Sequence, residues 1–238
     1  MRAPSAPPAP SSPSLTLPEL LDGSAWFPLL DAAAQARVLD EMRYEDVPAG
    51  MLLSRFGESP RHWYGVMHGL LKWSRDTADG HSITFGGLSV GSWFGEGTLL
   101  RGAPRRADII ALKDSRVAVM PKDTFGWLYA TELSFCHFLL DQINERMHWF
   151  MESYAAHRML DADGQVARAL AGLFHPWLYP RGERHLQVSQ EEIANLSGVS
   201  RPRCNQALKR LRDAGLLRIE YGGLMIVDLE GLRRAAGD

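Results

Sequence analysis

Near the carboxyl end, Arg201, Pro202, Asn205, Gln206, Lys209 and Arg210 fall on one side of a helical repeat, and Cys204, Ala207, Leu208 and Leu211 fall on the other. The first set is rich in donors. A guanidinium offers a bidentate fork and a carboxamide offers a donor beside an acceptor, which match the edges of guanine and adenine in a major groove. Such a helix must be held against a second one, and the residues before it supply the means. Ser189 and Glu192 stand three apart ahead of Ile193, Ala194 and Leu196, the spacing of a capping box at a helix start. Gly198 suits the left-handed residue that ends that helix, Ser200 suits the cap of the next, and Pro202 falls in its first turn, where no amide proton is needed. Ser189 to Leu211 therefore reads as a helix-turn-helix whose outer face can enter duplex DNA, the alternative being a helical hairpin with a solvated face.

The 238 residues, 45% of them hydrophobic, suffice for two domains with cores of their own. The net charge is only −2, but Ser200 to Ala235 carries eight basic residues against four acidic ones, a local +4. The cationic footprint thus sits with the helix-turn-helix. The two cysteines, Cys136 and Cys204, both lie among helical apolar residues, which supports neither a disulfide framework nor a cysteine-ligated metal or cluster and fits a cytoplasmic protein. No run approaches membrane-spanning length, so no membrane partner is expected. Residues 1–18 are rich in Pro, Ser and Ala without a signal-peptide core, which predicts a disordered lead-in.

The elements that must position the reading helix follow from pattern. From about Glu19 to Glu41 the sequence is weakly helical. From Tyr44 to Met120 it breaks into short apolar or alternating runs such as Trp63–Met67 and Ile109–Ala111, separated by glycines, which predicts an antiparallel roll over 19–130. No glycine occurs between Gly126 and Gly164, and Cys136, Leu140, Ile143, Met147, Phe150, Tyr154 and His157 repeat at spacings of four and three. This heptad seam predicts one long helix over 131–160. A seam of that period fits a twin helix in a parallel homodimer, and burial against the roll is the other possibility. A dimer would set two reading helices about one DNA turn apart. Asp161 to Gly164 breaks the helix, Gln165 to Phe174 resumes helically, and a domain over 161–238 follows, in which Leu216–Glu220 and Leu224–Val227 flank Tyr221-Gly222-Gly223 as a two-stranded wing.

With a glycine-studded roll, a seam helix and a winged helix-turn-helix in this order, the chain resembles the Crp-Fnr family of bacterial transcription factors. The motifs that carry the resemblance are Val90-Gly-Ser-Trp-Phe-Gly-Glu96, Arg105-Arg-Ala-Asp-Ile-Ile-Ala111 and Gly198-Val-Ser-Arg201. The resemblance covers Glu19 to Ala236 and implies an α+β fold. Its parts are an N-terminal antiparallel β-roll of the cyclic-nucleotide-binding kind (a double-stranded β-helix), a long dimerisation helix and a C-terminal winged helix-turn-helix. It also implies a homodimer on palindromic promoter DNA, RNA polymerase as a partner, and a small effector, a cyclic nucleotide or another, in the roll. Gly95 would let backbone amides approach a phosphate, Glu96 would accept from a ribose hydroxyl, and Arg105 would hold the phosphate charge. A plain Glu96–Arg105 ion pair closing the roll is the alternative. Arg106 stands where the family usually has a small residue, and Phe150 and Met151 stand where its cyclic-AMP-binding members present hydroxyls. Phe150 can stack on a base or fill the cavity. In the reading helix the resemblance gives base contacts to Arg201, Pro202 and Gln206 and leaves Ser189, Ser200, Arg203 and Lys209 as phosphate contacts. Pro202 replaces the acidic side chain of many members, so the preferred site should differ from theirs.

Other functions are conceivable: a regulator that needs no effector, a protein-binding module, or a metal enzyme built on the roll. A metal site would want converging histidines and a carboxylate, and His62, His68 and His81 lack the close spacing for it, so neither a metal nor catalysis is expected.

Overall fold

The computed structural model describes residues 14–76 and 82–237. Regular structure is present within the last residues of the expected lead-in. Thr16 and Glu19 form a reciprocal capping box that starts helix α1 (Leu17–Asp22), and Leu15 packs onto the core. The expected lead-in is therefore too long at its end, because Pro18 occupies the first turn of a helix, where it is tolerated. Residues 1–13 of that lead-in lie outside the described residues.

After a 3₁₀ turn (Phe27–Leu29) and α2 (Ala32–Glu41), eight strands build the roll: β1 (Arg43–Val47), β2 (Leu52–Ser54), β3 (His62–His68), β4 (Leu71–Asp76), β5 (Ser82–Leu88), β6 (Trp93–Phe94), β7 (Asp108–Ala111) and β8 (Ser115–Pro121). They pair antiparallel in two sheets, β1-β8-β3-β6 and β2-β7-β4-β5. Between them lie Val47, Val66, Leu71, Leu88, Phe94, Ile109, Val117 and Val119, all buried. A short helix, α3 (Glu96–Arg101), interrupts the strands. A second apolar cluster joins the outer face of the first sheet to the helices, with Trp26, Trp63, Trp93, Phe125, Phe135 and Phe138 in mutual ring contact.

α4 (Lys122–Thr131) leads into α5 (Leu133–Met159), a single helix of 27 residues. Its two apolar stripes have different fates. Phe135, Phe138, Leu139 and Trp149 are buried against the rest of the subunit, together with Gln142. Leu140, Ile143, Met147, Phe150 and Tyr154 are exposed, and Cys136 is half-buried.

The helix breaks at Leu160, and Asp161 caps α6 (Ala162–Ala171) by accepting from the Gly164 amide. The restart therefore comes before the expected Gln165, because Asp161 to Gly164 acts as a helix start rather than as a broad hinge. After a second 3₁₀ turn (Gly172–Phe174) come β9 (His185–Leu186), α7 (Gln190–Ser197), α8 (Arg201–Asp213), β10 (Leu217–Glu220), β11 (Gly223–Ile226) and α9 (Leu229–Ala235). β9 adds to β11, so the wing belongs to a three-stranded sheet rather than a two-stranded one. Its partner strand is only two residues long, too short for a sequence pattern to reveal. Val166, Leu170, Ile193, Cys204, Ala207, Leu208, Leu211, Leu224 and Ile226 close the core of this domain, which Leu70 of the roll also enters. Among the described residues no helix is long and apolar enough to cross a membrane.

Candidate nucleic-acid interface and effector pocket

α7 and α8 cross in the way the spacing of small and apolar residues dictates. The Ser189 hydroxyl accepts from the Glu192 amide at 3.1 Å, Gly198 ends α7 at φ 68°, and the Val199 amide closes the turn on the Ala194 carbonyl. A side chain at Gly198 would be strained at that φ and would also press on the His157 ring. Only half of the expected capping box forms, because the Glu192 carboxylate turns away from Ser189 to Lys72 of the roll. Ser200 stands at the N-cap of α8 in extended backbone, but its hydroxyl makes no capping bond.

On α8, Cys204, Ala207, Leu208 and Leu211 are buried, while Arg201, Pro202, Arg203, Gln206 and Lys209 are exposed. Asn205, expected on the outer face, is half-buried, and its Oδ1 is sealed from solvent without a partner. Its position, one residue after buried Cys204, puts it on the border of the apolar stripe. Burial pushes the Cys204 thiol up to about 11. The cations of the outer face differ in freedom. Arg210 is held by Asp163 of α6, and Arg201 lies 3.8 Å from Glu191. Among the described residues, Arg203 and Lys209 have no acidic partner within ion-pair distance.

In the roll, Glu96 and Arg105 are both buried, but they do not pair with each other. Arg105 donates to the carbonyls of Gly95 (3.2 Å) and His62 (2.6 Å) and to the Thr98 hydroxyl (2.9 Å), with its guanidinium 5.6 Å from the Tyr64 ring centroid. Every one of these acceptors is neutral. Burial holds its pKa below the ordinary value, as expected of a cation with no anion in contact. Gly95 adopts φ 102°, and a Cβ there would stand 2.7 Å from Arg105 Nη1, so this turn needs glycine twice over. Glu96 instead accepts from Trp63 Nε1 at 3.4 Å and faces Arg146 Nε of α5 at 3.4 Å. The Glu96–Arg105 ion pair weighed as the alternative is thus not formed, and Glu96 pairs with α5 instead, because the carbonyl cage draws the Arg105 fork away.

Arg146 is the residue that sequence reading missed. Its Nη2 donates to the Trp93 carbonyl at 2.9 Å, its guanidinium lies 4.5 Å from the Trp73 ring centroid, and Nε and Nη1 are buried without a hydrogen-bond partner. Phe150, one turn on, stacks on Trp73 at 6.2 Å with the planes 10° apart. The aromatic slot beside Glu96 therefore holds the chain's own rings. Arg106 and Met151 are exposed. A separate cleft of about 570 Å³ runs between β5, α5 and the helix-turn-helix, lined by Phe85, Phe150, Tyr154, His157, Asn195 and Gly198. Of the three histidines weighed for a metal, His62 is half-buried beside Arg43 and Tyr64, His68 ends β3, and His81 lies outside the described residues. Among the described residues no three metal-binding side chains converge.

The profile described as "Cyclic nucleotide-binding domain" matches residues 44–132, and the "Crp-like helix-turn-helix domain" matches residues 164–235. The "CRP-like cAMP-activated global transcriptional regulator" of Mycobacterium tuberculosis is 27% identical over 222 residues, 92% of this chain and 99% of the relative. The transcriptional regulator LdrP of Thermus thermophilus is 28% identical over 185 residues, 76% of this chain and 90% of the relative. Among solved structures, FixK2 from Bradyrhizobium japonicum superposes with a TM-score of 0.70 at 15% identity, covering 82% of this chain and 96% of that one. A CRP-family transcriptional regulator from Thermus thermophilus, TTHB099, superposes with a TM-score of 0.63 at 24% identity over 82% and 97%. A roll with a buried glutamate and arginine beside a glycine turn, a long helix and a winged helix-turn-helix with its cationic face outward make this chain a DNA-binding transcriptional regulator that belongs to the Crp-Fnr family.

Proposed function

We propose that the chain regulates transcription as a homodimer on twofold-symmetric DNA, near promoters served by RNA polymerase. One observation carries this reading: the same subunit leaves open both the apolar stripe of α5 and the cationic face of α8. A long apolar stripe in water is unfavourable, and a second α5 laid parallel would cover it while bringing the two α8 helices onto one duplex. Arg201 and Gln206 then read purine edges with Pro202 beside them, and Ser189, Ser200, Arg203 and Lys209 grip phosphates. The curated relatives are transcriptional regulators, which favours this reading over an enzyme. Fluorescence anisotropy with a random duplex tests it. Affinity should fall steeply and log-linearly with salt as phosphate contacts are lost, whereas a protein-binding module would show no such dependence.

The roll, on this reading, takes an anionic effector at Arg105, whose buried charge meets only neutral acceptors. The Mycobacterium relative is described as cAMP-activated. A cyclic nucleotide here would have to draw Arg105 from the carbonyls and meet Phe150 and Trp73 rather than hydroxyls. Isothermal titration with cyclic AMP and cyclic GMP should give heat that disappears in Arg105→Ala. The stacked Phe150–Trp73 pair supports a second reading, a regulator that needs no effector. No heat with either nucleotide, together with unchanged operator affinity in Arg105→Ala, would favour it.

A further inference from the structure

Lys72 and Trp73 are consecutive on β4, so their side chains leave opposite faces of the sheet. Trp73 faces α5, where it carries Arg146 and Phe150. Lys72 faces the DNA-binding domain, and its Nζ lies 2.8 and 2.9 Å from the two carboxylate oxygens of Glu192 on α7. The two side chains are 10% and 26% exposed, which sets this pair apart from the exposed ion pairs of the surface. Both residues line one small, mostly apolar cavity with Leu70, Leu112, Leu173, Val188, Ile193 and Leu196. A second pair, Lys113–Glu183 at 3.3 Å, spans the same two domains.

Glu192 stands at the position where it could reciprocate the Ser189 cap, and it reaches to the roll instead. Apolar surfaces alone tolerate sliding, whereas an ion pair in an apolar surround has one favourable register, and breaking it strands a desolvated charge. The pair does not hide the reading surface, because Arg201, Arg203, Gln206 and Lys209 stay exposed while it is made.

We propose that Lys72 and Glu192 form a positioning clamp that fixes the helix-turn-helix at one offset from α5, so that both heads of a dimer reach a palindrome already ordered. The clamp rests on the dimeric reading above. Its consequence is specific: it matters where two heads must register together, and not where one head binds alone, because only the former requires the offset to be set before binding.

The test uses the full chain with Lys72→Glu, Glu192→Lys, the double exchange, and the milder Lys72→Met and Glu192→Gln should a reversal fail to fold. Thermal unfolding confirms the fold of each. Anisotropy is measured on a palindromic operator and on a duplex holding one half-site. Single variants should lose about tenfold on the palindrome, stay within about twofold on the half-site, and recover most of the loss in the double exchange. Palindrome affinity that is unchanged or increased, an equal loss on the half-site, or no recovery in the double exchange would each overturn the clamp. A wild-type chain that binds neither duplex would instead sink the DNA-binding reading on which the clamp depends.

Discussion

Leu139 and Leu140 are neighbours on α5 with opposite surroundings, and they separate the two ways in which that helix is used. Leu139 is 2% exposed and belongs to the core under the roll, whereas Leu140 is 65% exposed. Full burial of a leucine is worth about 1.5–3 kcal/mol, so covering the exposed part of Leu140 is worth about 1–2 kcal/mol per subunit. Two copies meet in a dimer, which makes the loss in Leu140→Ala about 2–4 kcal/mol, or roughly 30- to 1,000-fold in the dimer dissociation constant. The unfolding temperature extrapolated to the monomer should hardly change, since the removed atoms touch water in the lone subunit. Leu139→Ala should do the reverse, with a stability loss of about 2–5 kcal/mol from the cavity it leaves and no first-order effect on association. Sedimentation equilibrium over a concentration series, with chemical unfolding in parallel, measures both. A dimer of undiminished strength in Leu140→Ala would refute the assignment of the outer stripe to self-association.

The reading helix supplies a second contrast: Arg201→Ala should weaken the cognate site by about 1–3 kcal/mol and relax one base position, while Lys209→Ala should weaken all sequences alike and flatten the salt slope by about one charge. Equal losses on cognate and random DNA for both variants would refute these roles. With its thiol pushed up to about 11 and its side chain in the core, Cys204 holds almost no thiolate at pH 8, so iodoacetamide should label Cys204 far more slowly in folded than in unfolded protein. Mass spectrometry of digests reads this directly, and rapid labelling at Cys204 would contradict its place in the core. Gly95→Ala should destabilise the roll and disturb Arg105, because the added methyl meets both a left-handed backbone and the guanidinium. Thermal unfolding checks it, and an unchanged midpoint would argue against the described turn.

The helix-turn-helix was legible because its signals are local: two caps, a glycine turn, a proline in a first turn and a stripe at helical spacing all lie within Ser189 to Leu211. The outer stripe of α5 was legible for the same reason. Its inner stripe was not, because Gln142 and Arg146 interrupt the apolar pattern at positions buried by partners fifty residues earlier. Strand pairing in the roll joins Arg43 to Val119 and Leu52 to Ile110, and no short-range signal encodes such separations. Glu192 shows how a correct motif can mislead. The spacing found the helix start, but the carboxylate had a stronger partner across the domain boundary.

The regulator reading meets its most direct test in selection of fragments from random-sequence DNA by the 238-residue chain. The account predicts a recovered motif with twofold symmetry and half-site centres about 10–10.5 base pairs apart. Fragments with no shared motif, or with one that lacks any symmetry, would contradict it.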